Sequence, residues 1–205
     1  TEPIVVKEYN MPNAARAWTV SGTPADCVKL GLRILRDRDI QIDHVFSGIN
    51  HGSNLGTDTL YSGTVSGAIE GVINGIPSFA VSVHEHDPEH FEASCDLALL
   101  ALKKASGKLD RGTVLNINLP HAPASEVKGL RVTRLGAREY DEDFKIQESE
   151  IGSTSYVYSG KPVVYSGLPE DIDVIAVQEG YASITPLHYD LTNHQLVEEV
   201  KSWGF

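Results

Sequence analysis

Apolar residues recur in two rhythms along this chain, and their order predicts an alternating α/β layout. Short β-rich runs fall at residues 4–6, 17–20, 44–47, 78–83 and 114–118. The last three are compact and apolar, as strands covered on both faces of a parallel sheet tend to be. Helical spacing fills the gaps. Cys27, Leu30, Gly31, Ile34 and Leu35 share one face of a helix that opens at Ser21-Gly22-Thr23-Pro24-Ala25-Asp26. There Thr23 can cap, Pro24 suits the first helical position and Asp26 completes a capping box. A helix of small residues is predicted over 63–74, closed by Gly75. Another is predicted over 88–105, with Phe91, Cys95, Ala98 and Leu102 on its packed face.

The pattern changes after Pro120. Residues 131–134 read as a strand, whereas 140–167 are polar, with β-prone pieces at 156–159 and 162–165 joined by Gly160-Lys161 as a hairpin. Residues 139–170 therefore form an excursion from the core of one domain spanning 1–205. Strand character resumes at 173–177 and 182–185. A C-terminal helix within 190–205, starting near Thr192, carries Leu196, Val200 and Trp203 on one face. Repeats and low-complexity tracts are absent.

Composition narrows the function. A chain of 205 residues can bury one full core. Its formal charge of −11 argues against attraction to nucleic acid or to an anionic membrane. No apolar run reaches the roughly 18–20 residues of a membrane span. The opening Thr1-Glu2-Pro3-Ile4 is neither an initiator methionine nor a signal sequence. Cys27 and Cys95 are far apart and helical, which favours a reducing cytoplasm over a disulfide framework. An acidic protein that handles an anion needs a local source of positive charge, such as a metal, a helix N-terminus or placed Arg and Lys residues.

The chemistry-bearing stretch begins where the strand at 44–47 enters a loop over residues 48–58. That loop holds three glycines, two asparagines and one histidine. Ligands in parallel α/β sheets bind at the carboxyl ends of strands, where this loop lies. It feeds a helix beginning Ser62-Gly63-Thr64, whose free N–H groups and hydroxyls can cradle a phosphate. Such loops also exist simply to turn the chain, and on the residues alone Asn50 reads first as a turn asparagine. Neither a P-loop nor a G-x-G-x-x-G fingerprint is present.

Ser47-Gly48-Ile49-Asn50-His51-Gly52-Ser53-Asn54-Leu55-Gly56, followed by Leu60-Tyr61-Ser62-Gly63-Thr64-Val65, resembles the signature of the SurE nucleotidase family. Gly22 to Leu30, Val132-Thr133-Arg134-Leu135-Gly136 and Gly180-Tyr181-Ala182-Ser183-Ile184-Thr185-Pro186-Leu187 agree in the same order. The resemblance implies a three-layer, Rossmann-like α/β fold with a mostly parallel sheet. It also implies a protruding hairpin and a C-terminal helix exchanged between subunits of a homodimer or homotetramer. The implied activity is divalent-metal-dependent hydrolysis of nucleoside 5′-monophosphates, with 3′-nucleotides and short polyphosphate as further substrates. The cofactor would be Mg²⁺ or Mn²⁺, with Asn50 as catalytic residue and metal ligand. Ser62, Gly63, Thr64, Asn54 and His51 would line the phosphate and substrate site. The family's Asn-Asp-Asp-Gly and serine loops have no match, so the metal-binding segment is expected to precede residue 1. A catalytically incomplete nucleotide-binding or assembly module is the alternative; a nucleoside hydrolase is another.

Two further clusters carry bland readings. His84-Glu85-His86-Asp87-Pro88-Glu89-His90 lacks the spacing of a zinc-protease helix and reads as a solvated loop, with a minor substrate-facing role as the alternative because it follows the strand at 78–83. Arg131, Arg134 and Arg138 form a basic cluster that could attract phosphate but reads first as a surface patch, and Cys27 reads as a buried small hydrophobe.

Overall fold

The computed structural model describes residues 2–84, 91–141 and 144–204. Strands β1 (Val6–Glu8) and β2 (Trp18–Val20) pair as an antiparallel ribbon. Helix α1 (Pro24–Arg36) follows with the anticipated capping box. Asp26 N–H donates to the Thr23 hydroxyl, and Thr23 N–H donates to the Asp26 carboxylate.

The main sheet is built from β3 (Val45–His51), β4 (Ser78–Val83), β5 (Val114–Leu119), β6 (Leu130–Val132) and β11 (Ala182–Leu187). Its spatial order is β3-β4-β5-β11-β6. The first three strands are mutually parallel, β11 runs antiparallel to β5, and β6 is parallel to β11. Helix α2 (Gly63–Ile73) covers one face, and α1 packs on α2. Helix α3 (Phe91–Ala105) covers the other face. The layers are thus helix, sheet, helix, as the α/β alternation requires.

Strand β4 is buried along its whole length, and its side chains alternate between two cores. Phe79 and Val81 meet Ala98 and Ala101 of α3, while Ala80 meets Val65, Ala68 and Val72 of α2. Small residues bring α2 close to the sheet. A side chain added at Gly67 would meet the Ser47 hydroxyl at 2.7 Å, and one added at Gly71 would meet Val45 at 3.0 Å. Because Val45 lies beside Gly71 and Ser47 beside Gly67, α2 runs antiparallel to β3. Its first residues therefore stand at the carboxyl end of that strand.

The excursion differs from the hairpin expected at 156–159 and 162–165. Strand β8 (Phe144–Glu150) pairs with β9 (Ser153–Tyr158), turning at Ile151 and Gly152. Short β7 (Tyr140–Asp141) pairs with β10 (Lys161–Pro162) at its base. Gly160-Lys161 is thus not the turn: β9 takes its partner from residues upstream. Residues 173–177, expected as a strand, form helix α4 (Asp173–Gln178). A short apolar run satisfies either element by periodicity; in the helix the buried Asp173 carboxylate accepts from the first-turn N–H of Val174. The packed face of α3 is Ser94, Ala98 and Ala101, so Cys95 is exposed, and Cys27 is only partly buried; both are free thiols. Helix α5 (His194–Lys201) is capped by Asn193 and buries none of its residues. No helix among the described residues is long and apolar enough to cross a membrane.

Candidate active site

Strand β3 continues past the expected loop entry at Ser47 to His51, so Asn50 lies on a strand end paired with Ser82. The site starts there, level with the first turn of α2. The Asn50 amide nitrogen donates to Gly52 O at 2.7 Å and to His51 O at 3.2 Å. Two carbonyls can face only the donor end of an amide, so the network fixes which atom is which. Among the described residues no donor reaches the Asn50 amide oxygen, and it is left as an available acceptor on a half-buried side chain. His51 is exposed, with its ring 5.3 Å from that of Phe91 at the start of α3.

Asn54 is an anchor for the loop. Its N–H donates to Asn118 Oδ1 at 2.8 Å, its carbonyl accepts from the amides of Asn116 and Asn118, and its own amide donates to Ser82 Oγ at 2.8 Å. All four side chains are buried, so strands β4 and β5 hold the loop by side chains reaching up from the core. Asn118→Ala leaves the Asn54 N–H buried without an acceptor, a loss of about 1–3 kcal/mol. For a domain of this size each kcal/mol moves the midpoint by roughly 2–4 °C, and calorimetry should show a decrease in that proportion.

Ser62 and Thr64 are buried, and the Ser62 hydroxyl accepts from Val65 N–H as the cap of α2. Gly63 is exposed beside Pro24. What this helix start offers a ligand is therefore its backbone. Among the described residues none accepts from the Gly63 or Thr64 N–H, the usual state of first-turn donors.

Behind the loop lies a charged network that the residue order did not disclose. The Arg138 side chain is only 8% exposed; its guanidinium lies 3.1 Å from Asp58 and donates to Ser53 Oγ at 3.1 Å. Ser53 Oγ also shares a hydrogen bond of 2.9 Å with His84 Nδ1, and the Tyr140 hydroxyl donates to Asp58 at 2.6 Å. Burial, then the hydrogen bond to Asp58, holds the Tyr140 hydroxyl above its ordinary pKa. The expected surface patch is thus three different environments. Arg138 is buried, Arg131 stacks 3.8 Å over Tyr181 while paired with Glu179, and Arg134 alone is well exposed, paired with Asp171. Arg138 lies inward against Asp58 and Ser53, whose ion pair and hydrogen bond offset part of the cost of burying a guanidinium, while its Nε lacks a hydrogen-bond partner among the described residues. Of the His84–His90 cluster, only His84 falls within the described residues.

A second buried hub is Asp173, which is fully inaccessible. Its carboxylate accepts from Gly56 N–H at 2.7 Å, Gly136 N–H at 2.9 Å and Val174 N–H at 2.8 Å. Desolvation raises its pKa in spite of those three donors and the nearby Arg138 charge.

Residues 1–142 match the family model described as "Survival protein SurE". The chain belongs to the SurE family. It is 46% identical over 200 residues to the 5′-nucleotidase SurE of Pelotomaculum thermopropionicum, covering 97% of this chain and 75% of that protein. It is 43% identical to the 5′-nucleotidase SurE of Syntrophomonas wolfei, with 98% and 75% covered. The crystal structure of the SurE protein from Aquifex aeolicus superposes with a TM-score of 0.83 at 39% identity, over 100% of this chain and 81% of that one. The chain thus spans about three quarters of the length of these curated SurE relatives.

The Asn50 amide oxygen is one neutral oxygen of the kind a divalent cation takes. Hard cations of this kind take about six oxygen ligands, carboxylates among them. Among the described residues no three His, Cys, Asp or Glu side chains gather in a ligand-like group. The described residues therefore show no carboxylate, imidazole or thiolate group of that size.

Proposed function

We propose that this protein is a 5′-nucleotidase that hydrolyses nucleoside 5′-monophosphates to nucleoside and phosphate, and that it requires Mg²⁺ or Mn²⁺. The observation that carries the reading is the locked amide of Asn50. Its nitrogen is tied to the loop backbone and its oxygen is left over, at the end of the sheet where α2 begins. In this reading the Asn50 oxygen faces the cation, and the Gly63 and Thr64 N–H groups hold phosphate oxygens at the positive end of α2. His51 and Ser62 border the phosphate, while Asn54 keeps the loop in place. The carboxylates that complete the metal site come from outside the described residues.

Phosphate release from AMP, GMP, CMP and UMP, with and without EDTA, tests this directly. Activity is expected to vanish on chelation and to return with excess Mg²⁺ or Mn²⁺. Undiminished turnover in EDTA ends the metal requirement, and free base in place of phosphate points to a nucleoside hydrolase. A second reading draws on the lack of a ligand group among the described residues: a module that holds a nucleotide without cleaving it. Nucleotide binding with no phosphate release under any metal would establish that alternative.

Self-association is part of the proposal. Helix α5 buries none of its residues; Leu196 is exposed on it, and Trp203 is exposed just past its C-terminal end. The excursion likewise exposes Phe144, Ile146, Tyr156 and Val157. We expect light scattering to report a homodimer or homotetramer at micromolar concentration; a monomer there removes this element.

A further inference from the structure

Arg138 stands just before the excursion and grips the candidate-site loop at three places. Its guanidinium donates to Ser53 Oγ at 3.1 Å, and its Nε lies 3.1 Å from the Asp58 carboxylate. Between those two points the Thr57 hydroxyl donates to Arg138 O at 2.9 Å and accepts from Arg138 N–H at 3.3 Å. We infer that Arg138 is a positioning residue: its guanidinium fixes the spacing between Asn50 and the start of α2, and so ties the site to the excursion. The inference rests on the phosphomonoesterase reading above and adds to it a residue that acts through its neighbours.

The two side-chain contacts fall on opposite halves of the site. Ser53 follows Gly52, whose carbonyl accepts from the Asn50 amide. Asp58 lies in the 3-10 turn Gly56–Leu60, which leads through Tyr61 to the Ser62 cap of α2. One rigid planar group therefore spans the stretch from which both halves hang. Lysine, a point charge on a flexible stem, has no such fork. Backbone contact leaves this stretch little slack. Gly56 is left-handed, at φ +51°, and a side chain there would meet Gly136 O at 2.5 Å, while Asp173 accepts from the N–H of both glycines. The excursion enters the same network at Tyr140, the first residue of β7, whose hydroxyl donates to Asp58 at 2.6 Å. Net stability is a weak reason for the arrangement, because desolvation offsets most of what a buried ion pair gains.

The experiment compares the parent protein, Arg138→Lys, Ser53→Ala and the double variant. It measures kcat and KM for AMP at saturating Mg²⁺, well below each melting midpoint, and records the side-chain amide resonances of Asn50. Arg138→Lys is expected to lower kcat at least about tenfold with KM changed less than about threefold, because a displaced loop misaligns the reacting groups. Ser53→Ala should lower kcat in the same direction. In the lysine background it should cost little further, since the fork that reached Ser53 is already gone. Both single variants should shift the Asn50 resonances. A purely supporting role predicts a lower midpoint with parent kcat and unmoved resonances, and that result overturns the inference, as do kcat losses that simply multiply in the double variant. If Arg138→Lys does not fold, Ser53→Ala decides by the same two readouts. If the parent releases no phosphate from AMP, the hydrolytic reading fails and the Asn50 resonances still decide: shifted in Arg138→Lys, they uphold the positioning role, and unmoved in the folded variant they overturn it.

Discussion

Asn50→Ala should lower phosphate release from nucleoside monophosphates by about 10²-fold, the scale of losing one preorganised polar group at a reacting centre. The melting temperature should move little. The side chain is half-buried, and its hydrogen bonds go to carbonyls of the same loop, His51 O and Gly52 O, which water can reach once the amide is gone. This separates the residue from its neighbour Asn54, which is buried against β4 and β5 and whose removal would weaken the fold itself. Asn50→Asp sharpens the test. The replacement keeps an oxygen for a cation but sets a second oxygen against two carbonyls, so the side chain must turn. Steady-state rates alongside calorimetry decide the matter: if Asn50→Ala keeps full activity, the amide oxygen has no part in the chemistry.

Asp173→Ala should cost the largest stability of any single change considered, about 3 kcal/mol or more, since three buried N–H groups lose their shared acceptor together. At roughly 2–4 °C per kcal/mol the midpoint falls by about 6–12 °C, which thermal unfolding would reveal. The pH dependence has a definite sign. Asp173 is harder to ionise in the folded protein than in the unfolded one. Its contribution is therefore fully present below the unfolded value, near 3.9, and declines as pH rises through the raised folded value. Asp173→Asn has no charge to bury, so the deficit of this variant relative to the parent should widen between about pH 8 and about pH 4. A deficit that narrows over that interval would contradict the assignment.

Sequence reading succeeded where the cause was local. The Thr23–Asp26 capping box and the left-handed Gly75 after α2 are decided within a few residues, and both are visible as spelling. Buried strands with continuous apolar character, such as β4, are equally plain. Failures came where distance in sequence hides the partner. Nothing around Arg138 announces that Asp58 and Ser53 will surround it, and nothing around Asp173 announces Gly56 and Gly136. The excursion was misregistered because residues 162–165 have β propensity without a partner adjacent in the chain, while β9 finds its own in β8. At the candidate site, family resemblance named Asn50 and the α2 entry, which the fold sets at the same end of the sheet. The demotion of Ser62 and Thr64 from exposed hydroxyls to buried ones depends on α2 lying tightly on the sheet, which only coordinates reveal. One local signal went unused: the alternation Asn116, Ile117, Asn118 in a strand otherwise apolar. Amides in a core strand must be bonded to something, and here that something is the loop.

Since Asn116 and Asn118 belong to the central strand, the Asn54 loop cannot come free while that strand stays paired. Heating should therefore abolish turnover and secondary structure in a single step, with no window in which the protein is folded yet inert.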